Sequence, residues 1–333
     1  MMEEMPESPA RRARRVTDKV MSPYVKGLAD HLTDVHQAVL DLHARLDGIQ
    51  SQLAVLDTRS TLLEDQIGGI SSAIETDHRI LRDVYERADE QRLRLYELRR
   101  GDDYEAAFTE DEPLVSFVVP TYDRYESLRD VSLPSILNQS YRNVEVIVSG
   151  DCSPPETAAV VRDTGDPRVR FINRTVRGPY PADPERRWFM VGTPPLNDGV
   201  AQARGRWIAI LGDDDEVLPN HTQSLVRAAQ QQRLEFPYGR LTVRFGDGSE
   251  LGLGKFPPQY GHFTLQFSLY HAGLRFFQFE PADIFYSEAN DWSLARRMIA
   301  AGVRFGMIDD LVAVKNESRT ASRQAWLGEA SPE

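Results

Sequence analysis

A seven-residue apolar repeat that keeps its register from Val25 to Leu98 constrains this chain more than any other feature. With position a counted from Val25 and position d from Leu28, nineteen of the 22 seam positions are apolar; the exceptions are Ser60, Asp77 and Gln91. A 3.5-residue period writes a narrow stripe that a straight helix drifts away from, so it is buried by supercoiling against another helix. No proline follows Pro23 before Pro113, and Gly48, Gly68 and Gly69 fall at outward b and c positions. Residues 25–99 are therefore expected to form a coiled-coil oligomerisation segment, self-associating through 25–98. The alternative is a helical hairpin turned at Gly68-Gly69. Isoleucine at both a and d (Ile67, Ile70, Ile74) leans towards more than two strands. In a parallel pair Arg87 would face Arg92 and Arg94 would face Arg99, which predicts a seam that loosens near residue 85. His36 and His43, one heptad apart at e, read as solvated flanking residues. Residues 1–24 are expected to be a flexible tail and 100–112 an acidic linker. The remaining 113–333 would then fold without the first 112 residues.

Charge and composition exclude several classes of function. The net charge of −12 is carried mostly by residues 1–112, where 15 Lys and Arg face 24 Asp and Glu, a net of −9. With no sustained basic face, the chain is not expected to bind nucleic acid. No run approaches the roughly 20 apolar residues of a membrane span, and Met1-Met2-Glu3-Glu4 does not open a signal peptide. A single cysteine, Cys152, fits a reducing compartment, so a cytoplasmic location is expected. Arg11-Arg12-Ala13-Arg14-Arg15 would allow peripheral contact with the inner membrane face.

Beyond Pro113 the heptads give way to short apolar runs alternating with helical stretches. Leu114–Val119, Val144–Val148, Val169–Ile172 and Trp207–Leu211 read as strands, with helices between them, which predicts an α/β fold with a mostly parallel sheet. Ligands of such sheets bind beyond the carboxyl ends of the strands. There the sequence places Pro120-Thr121-Tyr122-Asp123-Arg124, Ser149-Gly150-Asp151-Cys152-Ser153 and Gly212-Asp213-Asp214-Asp215-Glu216. Three consecutive aspartates repel one another unless a cation neutralises them. Hard oxygen donors suit Mg²⁺ or Mn²⁺ shared with a diphosphate; an acidic helix start is the other reading. Neither a P-loop nor a Gly-x-Gly-x-x-Gly after a strand is present.

In order and spacing these segments resemble family-2 glycosyltransferases of the GT-A-type fold. The likeness runs from Val115–Arg124 through Ser135–Tyr141, Val144–Val148, Asn197-Asp198-Gly199, Ala203–Ile208 and Leu211–Pro219 to Asn290-Asp291-Trp292, about residues 114–316. The resemblance implies an inverting, metal-dependent enzyme that moves one sugar from a nucleotide-sugar donor, most commonly a UDP-sugar, to a hydroxyl of a carbohydrate or glycoconjugate acceptor. It implies Pro120, Thr121, Asp123, Asp151, Asn197 and Asp213 at the donor, Asp214 and Asp215 on a divalent cation (Mn²⁺ or Mg²⁺), Asp291 as general base and Trp292 beside the acceptor. Gly150 and Gly212 stand where many members carry a further aspartate, Leu196 replaces a frequent arginine, and Asn316 lies near the place of a metal-contacting histidine. A nucleotidyltransferase would show an early Gly-rich phosphate loop. A non-catalytic coiled-coil scaffold with a degenerate catalytic fold is the remaining alternative.

Overall fold

The computed structural model describes residues 8–280 and 288–317. The chain divides into two compact units, one up to Arg82 and one from Asp83 onward.

The first unit is helical. Helix α1 (Pro9–Leu98) runs without a break through Pro23 and through Gly68-Gly69, so the hairpin alternative is excluded. It begins at Pro9, which corrects the expectation that residues 1–24 are a tail; residues 1–7 lie outside the described part. Seam side chains between Leu28 and Ile74 are bare: Leu28, Leu42, Leu56, Ile67 and Ile70 are each at least 60% exposed.

The last turns of α1 belong to the second unit and change partner. Leu95 is fully buried and Gln91 nearly so, and Leu98 packs against the core. Arg92 donates to the Ala300 carbonyl, and Arg99 makes a two-pronged bond to the buried Glu235 at 2.7 and 2.8 Å. Arg92 and Arg99 are thus engaged within the chain's own fold.

Residues 100–112 are not a linker. They contain helix α2 (Asp102–Thr109), whose Tyr104, Ala107 and Phe108 share one face at i, i+3 and i+4 and are all buried. Phe108 meets the Trp207 ring edge-on at 5.6 Å, and the Trp207 indole N–H donates to the Ala107 carbonyl. Tyr104 donates to Glu235 at 2.7 Å.

The core sheet has the order β3-β2-β1-β4-β8. Strands β1 (Val115–Thr121), β2 (Val144–Gly150), β3 (Val169–Asn173) and β4 (Trp207–Ile210) are parallel, and β8 (Tyr270–His271) pairs antiparallel with β4. β1, β2 and β4 are buried on both faces, as continuous apolar runs in a parallel sheet must be. Pairing of β1 with β4 stops at Val118, before Pro120 with its missing N–H. A second sheet, β5-β9-β6-β7, is mixed and was not anticipated: β5 (Glu216–Val217), β9 (Phe305–Asn316), β6 (Phe236–Arg244) and β7 (Glu250–Leu253).

Helices cover both sheets. The stretch after β1 is broken into α3 (Tyr125–Ser127), a π turn (Leu128–Ser132) and α4 (Leu133–Leu137), where Pro134 offers no N–H to the regular ladder. α5 (Pro155–Asp163), α6 (Pro184–Met190) and α7 (Thr193–Ala201) follow, then α8 (His221–Gln232) and α9 (Asn290–Ala301). The approach to β4 is fixed from beneath. Buried Glu145 on β2 accepts from the Ser116 hydroxyl, the Arg204 backbone N–H and the Arg204 guanidinium. At Gly205 a Cβ would fall 2.6 Å from the Leu114 carbonyl oxygen, so only glycine fits the Ala-x-Gly step.

Candidate active site

The chain passes from β1 to β2 and β3 on one side and then crosses to β4 on the other. The crevice between the carboxyl ends of β1 and β4 is therefore the topological switch point of the sheet. The Thr121 hydroxyl at the end of β1 donates to Asp213 at 2.8 Å, tying the first loop to the aspartate run after β4. Asp213 is nearly buried, and burial pushes its carboxyl up to about 7, against the pull of the Thr121 bond.

The three consecutive aspartates point to three different environments. Asp214 stays open to solvent at 29% exposure and pairs with Arg124, whose guanidinium also lies 3.7 Å from Asp213. Asp215 turns inward and accepts from the Asn316 backbone N–H at 2.8 Å. Burial raises its carboxyl, and the Lys315 ammonium opposes that shift. Asn316 also donates from its side chain to the Asp214 carbonyl, so strand β9 braces the acidic loop. Neither Arg124 nor Lys315 stands in a motif that marks it as a site residue, although Arg124 lies within the loop after β1.

Among the described residues, no group of three or more His, Cys, Asp or Glu is arranged to hold a metal unaided. The residues present nevertheless fit a hard cation that brings its own diphosphate. Asp214 offers outward carboxylate oxygens and Asp213 lies beside it, and Mg²⁺ is commonly held by one or two carboxylates plus substrate phosphates. Arg124 neutralises the pair meanwhile.

Asp151 follows β2 and is buried, but its oxygens are engaged. The Gly178 backbone N–H donates to one at 3.0 Å and the Tyr180 hydroxyl to the other at 2.5 Å. Arg174 approaches within 3.7 Å and pairs with Asp198. Arg177 lies 3.7 Å over the Tyr122 ring. Beside Asp151 the loop closes on Asn173: a Cβ at Gly150 would fall 2.5 Å from the Asn173 Oδ1, so a further acid at that position would displace the Asn173 side chain from Ser153.

Other expected site residues are placed as follows. Pro120 is the last residue but one of β1, and Asp123 is exposed on the loop beyond the strand. Asn197 is held at both ends by the backbone of Phe279, donating to its carbonyl and accepting from its N–H, so it latches the chain near 279. Asp291 sits in the first turn of α9, half-buried, and accepts from the Trp292 N–H at 2.7 Å. Burial raises its carboxyl above the usual range, opposed by the Thr264 hydroxyl. Trp292 packs edge-on against Tyr260 and Phe263, at 6.0 and 6.3 Å. Glu288, the nearest other acid in sequence, is bound to Arg296 at 2.8 Å.

Comparison with known proteins places this arrangement in context. The model of glycosyl transferase family 2 matches residues 116–182 and 194–286. The succinoglycan biosynthesis protein ExoO of Rhizobium meliloti is 36% identical over 141 residues, 42% of this chain and 36% of that protein. The GalNAc(5)-diNAcBac-PP-undecaprenol beta-1,3-glucosyltransferase of Campylobacter jejuni is 32% identical over 122 residues, 36% of this chain and 35% of that one. The chain thus spans about a third of the length of these relatives. Among solved structures, S. aureus TarS 1-349 in complex with UDP-GlcNAc shows a partial likeness of fold, with a TM-score of 0.49 and 14% identity, covering 61% of this chain and 58% of that one. No helix among the described residues is long and apolar enough to cross a membrane.

Proposed function

The chain belongs to glycosyl transferase family 2, and from that membership we propose that it transfers one sugar from a nucleotide-sugar donor to an acceptor hydroxyl, with inversion at the anomeric carbon. The observation that carries this reading is the Thr121–Asp213 bond across the switch point, with Asp214 presented to solvent beside it. Donor binding falls to the loops after β1, β2 and β4: Asp151 accepts from a ring N–H of the base, and Asp213 lies near the ribose. Asp214 would hold a divalent cation, Mn²⁺ or Mg²⁺, which when bound offsets charge on the leaving diphosphate. Asp215, braced by Asn316, keeps the acidic loop in shape. Asp291 takes the proton from the acceptor hydroxyl; its raised carboxyl affinity for protons suits a base, worth about 10²–10⁴-fold in rate. A panel of nucleotide sugars, UDP-sugars first, with Mn²⁺ or Mg²⁺ tests the reading by release of nucleoside diphosphate. Release that depends on Asp214 supports it; no release from any donor in the panel removes it.

Self-association through the expected 25–98 segment, narrowed to its bare part, is included in the same proposal, with the unburied seam from Leu28 to Ile74 as its support. The occupant that fits is a second copy of this chain in parallel register. Arg59 at a g position then meets Glu64 at the e position of the other copy, and no like-charged g–e pair falls between residues 31 and 78. Leu95 and Leu98 take no part, since the catalytic unit covers them.

A further inference from the structure

The two matched segments of the family leave out residues 183–193, and α6 occupies that stretch. It is part of a strap fastened at both ends of the proposed site. At one end Gly178 and Tyr180 are bonded to Asp151. At the other, the Asn290 side chain donates to the Val191 carbonyl and to the Thr193 hydroxyl, both at 3.2 Å, immediately before Asp291. Arg187 folds back to the Pro181 and Ala182 carbonyls at 3.0 and 2.6 Å, closing the strap on itself. Met190 roots it in the interior, yet Trp188 is 60% exposed, with Phe189 supporting its ring edge-on at 5.4 Å.

A second exposed aromatic meets the same helix start. Tyr260 is 57% exposed and rests edge-on against Trp292. The strap and the Tyr260 loop thus reach α9 through Asn290 and Trp292, the two sequence neighbours of Asp291. Tryptophan exposed to water on a tethered segment is the unusual observation here, because scattered aliphatics need no explanation but large aromatics favour interfaces.

We propose that Trp188, on the strap tethered to Asn290, forms the platform on which a sugar ring of the acceptor stacks, so that its hydroxyl is offered to Asp291. One face of a pyranose presents weakly positive C–H groups, which lie well on the negative face of an indole, while its hydroxyl rim stays wet. Trp supplies this area with only two rotatable side-chain bonds to order. A membrane surface is the competing occupant. It is disfavoured because the strap is fastened beside the base, and because its apolar residues do not extend as an amphipathic face of any length.

The proposal rests on the glycosyl-transfer reading, and its test separates the two. With the full chain and a donor that wild type consumes, p-nitrophenyl glycosides serve as acceptor probes. Trp188→Ala is expected to raise the acceptor KM about tenfold. Its donor KM and its acceptor-free hydrolysis of donor should stay within about twofold of wild type. Trp188→Phe is expected to recover most of the loss. An unchanged acceptor KM in Trp188→Ala overturns the platform, as does a donor KM that rises in step. Loss of binding to phosphatidylglycerol vesicles with the acceptor KM intact assigns Trp188 to a membrane and overturns it too. A wild type that consumes no donor overturns the reading beneath it.

Discussion

Cutting the chain at two places 30 residues apart tests how far the catalytic unit extends. A fragment starting at Asp83 keeps Leu95, Arg99 and helix α2; one starting at Pro113 loses them all. The shorter fragment uncovers Trp207 and His271, which pack on Phe108 and Tyr104, and strips Glu235 of its Arg99 and Tyr104 partners. Leu95, Tyr104 and Phe108 each contribute roughly 1.5–3 kcal/mol by burial. Glu235 keeps the Arg304 N–H at 2.9 Å and its guanidinium at 3.5 Å, so loss of the Arg99 fork costs about 3 kcal/mol more. The combined loss, on the order of 10 kcal/mol, rivals the whole stability of a domain, roughly 5–15 kcal/mol. Circular dichroism on heating should show a cooperative transition for 83–333 and none for 113–333. Cooperative melting of 113–333 within about 5 °C of the longer fragment would refute the reasoning.

Three further outcomes are expected. Asp291→Asn keeps the acceptor for the Trp292 N–H, so transfer should fall about 10²-fold or more while donor affinity holds. Burial holds the Asp291 carboxyl above its unfolded value, so its ionisation opposes folding: the stability tied to its proton is present at low pH and lost as pH rises through the folded pKa. The Asn variant should therefore melt no lower than wild type at neutral pH, and the wild-type rate should decline on acidification before an ordinary carboxylate would protonate. Tyr180→Phe removes the hydroxyl that occupies Asp151, so nucleoside diphosphate should bind more tightly by titration calorimetry; weaker binding would make Tyr180 a support for the base instead. Leu56→Asp with Ile67→Asp, both on the bare seam, should turn an oligomer into a monomer in sedimentation without changing the catalytic unit's melting.

Much of this architecture was legible in the residues. Continuous apolar runs gave the parallel strands, and the loops after β1, β2 and β4 were found because polar, acidic residues follow buried strands. The heptads marked α1, but a repeat cannot say who covers its stripe. Leu28 and Leu95 look alike in sequence, yet one is bare and the other lies in the core. Acidic composition hid α2, whose Tyr104, Ala107 and Phe108 spacing was the overlooked signal. The partners of Asp151 were beyond reach, since Gly178 and Tyr180 come from a Gly-Pro-Tyr-Pro stretch with no periodicity. Likewise three neighbouring aspartates look equivalent until Lys315 and Asn316, about a hundred residues away, are folded against one of them.

Titration calorimetry of UDP, with and without Mn²⁺, tests the central claim most directly when wild type is set beside Asp214→Asn and Asp151→Ala. Wild type should bind UDP more tightly with the metal. Asp214→Asn should lose that gain while keeping metal-free binding, and Asp151→Ala should weaken both. A wild type that binds no UDP or GDP under either condition, or an Asp214→Asn variant with the full metal gain, would contradict the assignment of this site.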